Sequence, residues 1–260
     1  MLESALEFEH RLELDRIAQT ILSRGPSLAF TGAGISTESG IPDFRGPSGL
    51  WKRTAPTGFR DFLNDPAVRA RYWERRRERY PELASKLPNV GHQSLQQLMT
   101  SGVLDLIVTQ NIDGLHQKAG VESDRVIELH GSSHQIRCLS CRSVFAADSD
   151  EIDFDAPIPG CPRCDGILKE ATISFGEPLI EEDLRRALRL AEEAGMVLVV
   201  GSSLTVNPAS RVPLVAARHG ASVAIINNEE TPLDRYAEYL VRAPAGASLS
   251  YLTRQVLAGV

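Results

Sequence analysis

The sequence predicts an α/β fold: an open parallel sheet covered by helices, with a small cysteine-bearing module and a helical insertion. Two observations carry this. Continuous apolar runs that end in small or polar residues alternate with helical stretches, the pattern of parallel strands buried on both faces. Two segments, 51–90 and 134–167, break the alternation.

Taken in order, EHRLELDRIAQTILSR (9–24) places Leu12, Leu14, Ile17, Ile21 and Leu22 at helical intervals, and Gly25-Pro26 ends the run. SLAF (27–30) reads as a buried strand, followed by a glycine turn, Gly32-Ala33-Gly34, and a polar, proline-containing loop. Residues 51–90 are rich in Arg and Pro without a strand signal, which predicts a helical insertion. A helix over 91–100 leads to the apolar run DLIVTQNID (105–113). Residues 134–167 hold all four cysteines, short β-type runs and an acidic link, which predicts a separate module. Helices at 180–194 and 208–219 then alternate with the runs MVLVVGSSL (196–204) and SVAIINNEE (222–230). In an open sheet of this kind ligands collect beyond the carboxyl ends of the strands, and each of these strands ends there in a polar motif. The segments 1–50, 91–133 and 168–260 would together form this Rossmann-like domain.

Composition narrows the function. A chain of 260 residues with 42% hydrophobic and 24% charged content has the make-up of an ordinary globular protein. Its net charge of -6 argues against binding nucleic acid through phosphates. No run approaches the ~18 apolar residues of a membrane span, so no membrane partner is expected. The charged N-terminal stretch lacks a signal-peptide core, so the cytoplasm is the expected compartment.

The cysteines read Cys138-x2-Cys141-x19-Cys161-x2-Cys164. Two such knuckles bring four thiolates within reach of one tetrahedral ion, the arrangement of a structural zinc ribbon. A redox CxxC would need only one knuckle, beside a βαβ unit. Four cysteines leave no open position for water, so this zinc would hold structure rather than catalyse.

The strand-end residues carry the remaining chemistry. The Gly32-Ala33-Gly34 turn would let backbone amides approach a phosphate, although such turns also serve as plain strand exits. Asp43 and Arg45 flank Phe44 on the following loop, either at a ligand or as a surface ion pair. Gln110, Asn111 and Asp113 could meet a carboxamide and ribose hydroxyls, while an Asx turn would account for one of them. His130 is a candidate base near neutral pH, with His92, His116 and His134 as competitors and a structural histidine as the plain alternative.

Together, GAGISTESGIPDFRG, TQNIDGLHQKAG, ELHG, the paired knuckles, FGE, GSS and IIN resemble, in that order, the sirtuins, NAD-dependent protein-lysine deacylases. The resemblance runs from about Leu28 to about Gly246. It implies that NAD is consumed by breaking its nicotinamide–ribose bond, not by exchanging hydride. Gly32, Ala33, Gly34 and Ser36 would then line the cofactor, with Asp43, Phe44 and Arg45 in a covering loop. Gln110, Asn111 and Asp113 would hold the ribose and carboxamide, and Gly201, Ser202 and Ser203 the phosphates. Asn227, Asn228 and Glu229 would meet the adenosine ribose, with Ala245 near the adenine. His130 would act as general base on a ribose hydroxyl, with Asn111 beside it in the catalytic set. An acyl-lysine protein or peptide would add as a strand at Phe175, Gly176 and Glu177, with nicotinamide and an O-acyl-ADP-ribose as products. Glu170 departs from the family pattern, standing where a proline is frequent. Mono-ADP-ribosyl transfer is the alternative activity, and an NAD sensor without turnover is the alternative outside the enzymes.

The acyl group is a further question. Tyr72 and Arg75 stand three apart on one helix face, as in sirtuins that prefer succinyl or malonyl groups, and could pair with an acyl carboxylate. The competing reading is a solvated basic helix, since RYWERRRER carries five arginines.

Overall fold

The structure, a computed structural model, describes residues 5–43, 49 and 56–259. Six strands form one all-parallel sheet: β1 (Ser27–Thr31), β2 (Leu106–Thr109), β3 (Val126–Glu128), β7 (Met196–Val200), β8 (Ser222–Ile226) and β9 (Tyr239–Val241). Their order is β3-β2-β1-β7-β8-β9. Alternate side chains of the strands other than the edge strand β9 feed two cores. Ala29, Ile107, Leu198 and Ala224 pack under α1 (Phe8–Ser23), α4 (Val90–Thr100) and α8 (Ala245–Gly259). Phe30, Val108, Val199 and Ile225 pack under α6 (Glu181–Glu193) and α7 (Arg211–Arg218). Burial on both faces is why these strands are apolar throughout rather than alternating.

A second, antiparallel sheet of order β5-β4-β6 joins β4 (Gly131–Cys138), β5 (Val144–Ala146) and β6 (Leu168–Thr172). Its outer members come from either side of the cysteine loop, so its register is set by pairing across some thirty residues. The inserted helices are α2 (Phe59–Asn64) and α3 (Pro66–Ser85). Asp65 caps α3, accepting from the Ala67 amide at 2.8 Å, and Pro66 occupies the first helical position, where no amide is needed. Trp73 of α3 is fully buried against Ile136, Phe145 and Leu168, so insertion and cysteine module share one small core.

Candidate active site

Because every strand of the large sheet is parallel, the segments after β1, β2, β7 and β8 leave from one edge. The chain runs from β1 to β2 on one side and reaches β7 on the other, so the crevice opens between the β1 and β7 ends. The segment after β1 is not an extended loop: Ala33–Ser39 coils into a 3₁₀ turn that stops at Gly40 in the left-handed region. Two glycine turns touch here. A Cβ on Gly34 would lie 2.7 Å from the Gly201 Cα, and one on Gly32 2.8 Å from the Gly201 carbonyl oxygen. The Gly34 amide donates to that carbonyl at 2.8 Å. The glycines thus first allow backbone to pack on backbone, and the Gly34 amide serves that contact.

The residues after β2 form a buried network over this turn. The Asn111 side-chain amide donates to the Gly32 carbonyl at 3.2 Å and to Ser36 Oγ at 3.0 Å. Ser36 Oγ donates to Asp113 Oδ2 at 2.7 Å, and Asp113 Oδ1 accepts the Leu115 amide at 3.0 Å. Gln110 reaches across β1 and donates to Ser202 Oγ at 2.7 Å. Ser203 Oγ pairs with Thr205 Oγ1 at 3.0 Å. Asn227 donates to the Glu229 carbonyl at 2.7 Å, while Asn228 and Glu229 lie exposed. Ala245 opens α8, whose next amide, from Gly246, donates to Glu38 Oε1 at 2.9 Å. Asp43 is half-buried at the start of the covering segment; Phe44 and Arg45 lie outside the described residues.

His130 follows β3 and is half-buried. Its Nδ1 stands 2.8 Å from the Gln110 carbonyl, which can only accept, so Nδ1 carries the proton and Nε2 holds the lone pair of the neutral ring. Gly131 then turns at φ 71°, and a Cβ there would meet the Ala171 oxygen at 1.9 Å, so glycine alone lets β4 start against β6. The His130 carbonyl accepts the Ile173 amide at 2.8 Å, tying the imidazole to the segment that follows β6. Phe175, exposed in that segment, accepts the Phe59 amide at 2.8 Å. Glu177 closes a turn there, accepting the Ser174 amide at 2.9 Å.

Two of the competing histidines lie under the site. His92 Nε2 is 3.4 Å from Ser36 Oγ, and His116 Nε2 is 2.9 Å from Thr31 Oγ1, whose proton goes to Thr109. Burial pushes His116 down to about 3, with His92 adding to the shift. Burial likewise pushes His92 down to about 4, against the pull of Asp113. Both rings are therefore neutral supports. Nothing in the local sequence distinguishes them from surface histidines, because their burial is made by α4 and α5 (Leu115–Lys118) packing together. His134 is also a support, with Nε2 2.8 Å from the Asp113 carbonyl.

Tyr72 and Arg75 do not face a common partner. The Tyr72 hydroxyl donates to Glu170 Oε2 at 2.9 Å, while Arg75 donates to Thr57 Oγ1. The phenol is held well above its ordinary pKa, by burial first and by Glu170 second. The arginine behind Glu170 is Arg76, 3.5 Å from Oε1 and stacked over Tyr80 and Phe154. The exposed side of the helix mixes Arg71 and Arg79 with Glu74 and Glu78, and the buried side carries the ion pair.

The four cysteine sulfurs lie within 4.8 Å of one another, with 3.5 Å between Cys138 and Cys164 and 3.7 Å between Cys141 and Cys161. Tetrahedral ligands at ~2.3 Å from zinc stand ~3.8 Å apart, so these thiols are positioned to bind one structural zinc ion. Each knuckle turns back through a left-handed residue directly after its second cysteine, Arg142 at φ 63° and Asp165 at φ 56°.

Comparisons with known proteins agree with this geometry. The model of the Sir2 family matches residues 32–208. The NAD-dependent protein deacetylase of Sulfurisphaera tokodaii is 44% identical over 89% of this chain and 91% of its own length. A solved Sir2 homologue mutant in complex with ADP ribose superposes with a TM-score of 0.86 at 37% identity, covering 94% of this chain and 96% of that one. A Sir2–p53 peptide–NAD+ structure gives 0.80 at 30% identity over 94% and 97%. With knuckles, glycine turns and His130 arranged as described, this chain belongs to the Sir2 family, the sirtuins.

Proposed function

We propose that the protein is an NAD-dependent protein-lysine deacylase acting in the cytoplasm on acyl-lysine proteins or peptides, with neither nucleic acid nor membrane as partner. The observation that carries the reading is the 2.8 Å contact of His130 Nδ1 with the Gln110 carbonyl, which commits Nδ1 as donor and leaves Nε2 to take up a proton. The strand-end crevice suits a dinucleotide, since it lies beyond the carboxyl ends of the parallel strands and its side-chain amides and hydroxyls match ribose and carboxamide. NAD supplies the glycosidic bond that is broken and the ribose that receives the acyl group. Gly32, Ala33, Gly34 and Ser36 would line it, with Asp43 at the edge of the covering segment. Gln110, Asn111 and Asp113 orient the reacting ribose, Gly201, Ser202 and Ser203 take the phosphates, and Asn227, Asn228, Glu229 and Ala245 the adenosine. His130 withdraws the proton from a ribose hydroxyl. Phe175, Gly176 and Glu177 offer the edge on which the peptide lies. The cofactor domain comprises 1–50, 91–133 and 168–260, the insertion 51–90 and the zinc module 134–167.

Acetyl is the preferred acyl group over succinyl or malonyl. Glu170 already occupies the Tyr72 hydroxyl, and its carboxylate would repel an acyl carboxylate brought to the same place.

The test is nicotinamide release with acetyl-lysine and succinyl-lysine versions of one peptide, with mass spectrometry of the products. Release should require the acyl peptide, yield O-acyl-ADP-ribose and favour acetyl. The His130→Ala protein should lose on the order of 10²–10⁴-fold in kcat. Release without acyl peptide, label from NAD left on protein, or an unchanged kcat in His130→Ala would each refute the reading.

A further inference from the structure

Lys169 is fully buried, which is rare for an ammonium without a partner. Its three donors each have an acceptor: Glu177 Oε2 at 3.1 Å, the Glu170 carbonyl at 3.4 Å and the Thr172 carbonyl. Arg137, its neighbour across β4, pairs with the other oxygen of Glu177. Both bonds to β6 and its turn matter for the site. Thr172 precedes Ile173, whose amide holds the His130 carbonyl, and Glu177 holds the Ser174 amide and so fixes the 174–177 turn.

We infer that Lys169, bridging Glu177 and the Thr172 carbonyl beside Arg137, is a positioning residue that sets the peptide-binding edge at Ser174–Glu177. This rests on the reading of that edge given above. Lys169 touches neither reacting atoms nor cofactor; it acts through the turn.

The brace is also sensitive to pH. Burial pushes the Lys169 ammonium down to about 7, Arg137 adds to the shift, and Glu170 opposes it. The charged groups around it are Arg137 from β4, Glu177 from the turn and Glu170 on its own strand, with Arg76 and Tyr72 of α3 behind Glu170. As pH rises through 7 the ammonium loses its proton, Glu177 is left to Arg137 alone, and the turn loosens.

The experiment is steady-state kinetics on an acetyl-lysine peptide lacking titrating groups between pH 6 and 9, with KM measured separately for peptide and NAD. Lys169→Met should raise the peptide KM about tenfold while the NAD KM changes less than about twofold, as loss of a charged hydrogen bond at one subsite predicts. In the native protein the peptide KM should climb from pH 7 to 9; in Lys169→Arg, which stays charged, that climb should vanish. Equal changes in both KM values, or an unchanged climb in Lys169→Arg, would overturn the inference. Should Lys169→Met fail to fold by circular dichroism, the Lys169→Arg profile decides alone. Phe175→Ala separates the two readings. If it leaves the peptide KM unchanged, the edge assignment itself is wrong; if it raises KM while the Lys169 arms are silent, only the brace fails.

Discussion

Nitrogen by nitrogen, the site sorts its histidines into one that can take a proton and two that cannot. His130 gives Nδ1 to a carbonyl; in the sequence its place after an apolar run and before Gly131 makes it one candidate base among four histidines. His92 and His116 were not legible as supports, because what makes them neutral is tertiary: their rings stand 5.0 Å apart inside the molecule, and His116 Nδ1 has no hydrogen-bond partner. Their depression has a thermodynamic consequence. A group whose folded pKa lies below its ordinary 6.5 contributes stability fully above 6.5 and loses it as pH falls toward the folded value, here about 4 and about 3. Between pH 7 and 5.5 the unfolded chain gains protons that the folded rings refuse, at about 1 kcal/mol for each ring. Denaturant titrations at the two pH values should find that loss, and His116→Gln should flatten its share of the slope. An identical slope in that variant would show that His116 is not neutral by burial.

Elements with a strong period were readable and short or distant pairings were not. The apolar runs at 105–113, 196–204 and 222–230 contain β2, β7 and β8, each strand ending inside its run, and the run at 27–30 covers β1 up to its last residue, Thr31. β3 and β9 have three residues each, too few for any periodicity, and α8 has its apolar positions fixed by packing on α1 and α4. The glycine turn was legible as a turn, but its 3₁₀ geometry follows from contact with the second turn after β7, which local sequence does not contain. That contact makes Gly201 a test of the element pair. Gly201 has φ 60°, and a Cβ there would sit 2.4 Å from the Ile35 amide nitrogen and 2.6 Å from the Gly34 carbonyl carbon. Gly220 has φ 92° with nothing within 4 Å, so it isolates backbone strain from collision. Gly220→Ala should cost about 1–2 kcal/mol by chemical denaturation. Gly201→Ala should cost more and should weaken NAD binding, because the two turns must part. Equal losses in the two variants, with NAD affinity intact, would mean that the turns are not in contact.

Across the whole molecule, the cysteine spacing announced the zinc module, yet not how the module reaches the active site. β4 runs from Gly131, next to His130, to the ligand Cys138, and β6 starts four residues after Cys164 and ends against Gly131. One ion would thereby anchor the far ends of both strands that frame His130. Trp73 and the Glu170–Arg76 pair fasten the inserted helix to the same module. The cofactor crevice, in contrast, rests on the large sheet and its two cores, which include none of the cysteines. Removing the metal should therefore separate two properties that share one active site. A chelator, or Cys141→Ser, should melt the module in an early thermal transition distinct from that of the large sheet, since structural zinc contributes folding energy directly. Turnover of acyl peptide should vanish with that first transition, because the proposed peptide edge and the backbone of His130 lose their frame. NAD binding by calorimetry should persist, weakened less than about tenfold, because Gly32, Gly201 and Gln110 are held by the sheet rather than by the module. A single cooperative transition with both properties lost together would show instead that module and sheet fold as one unit.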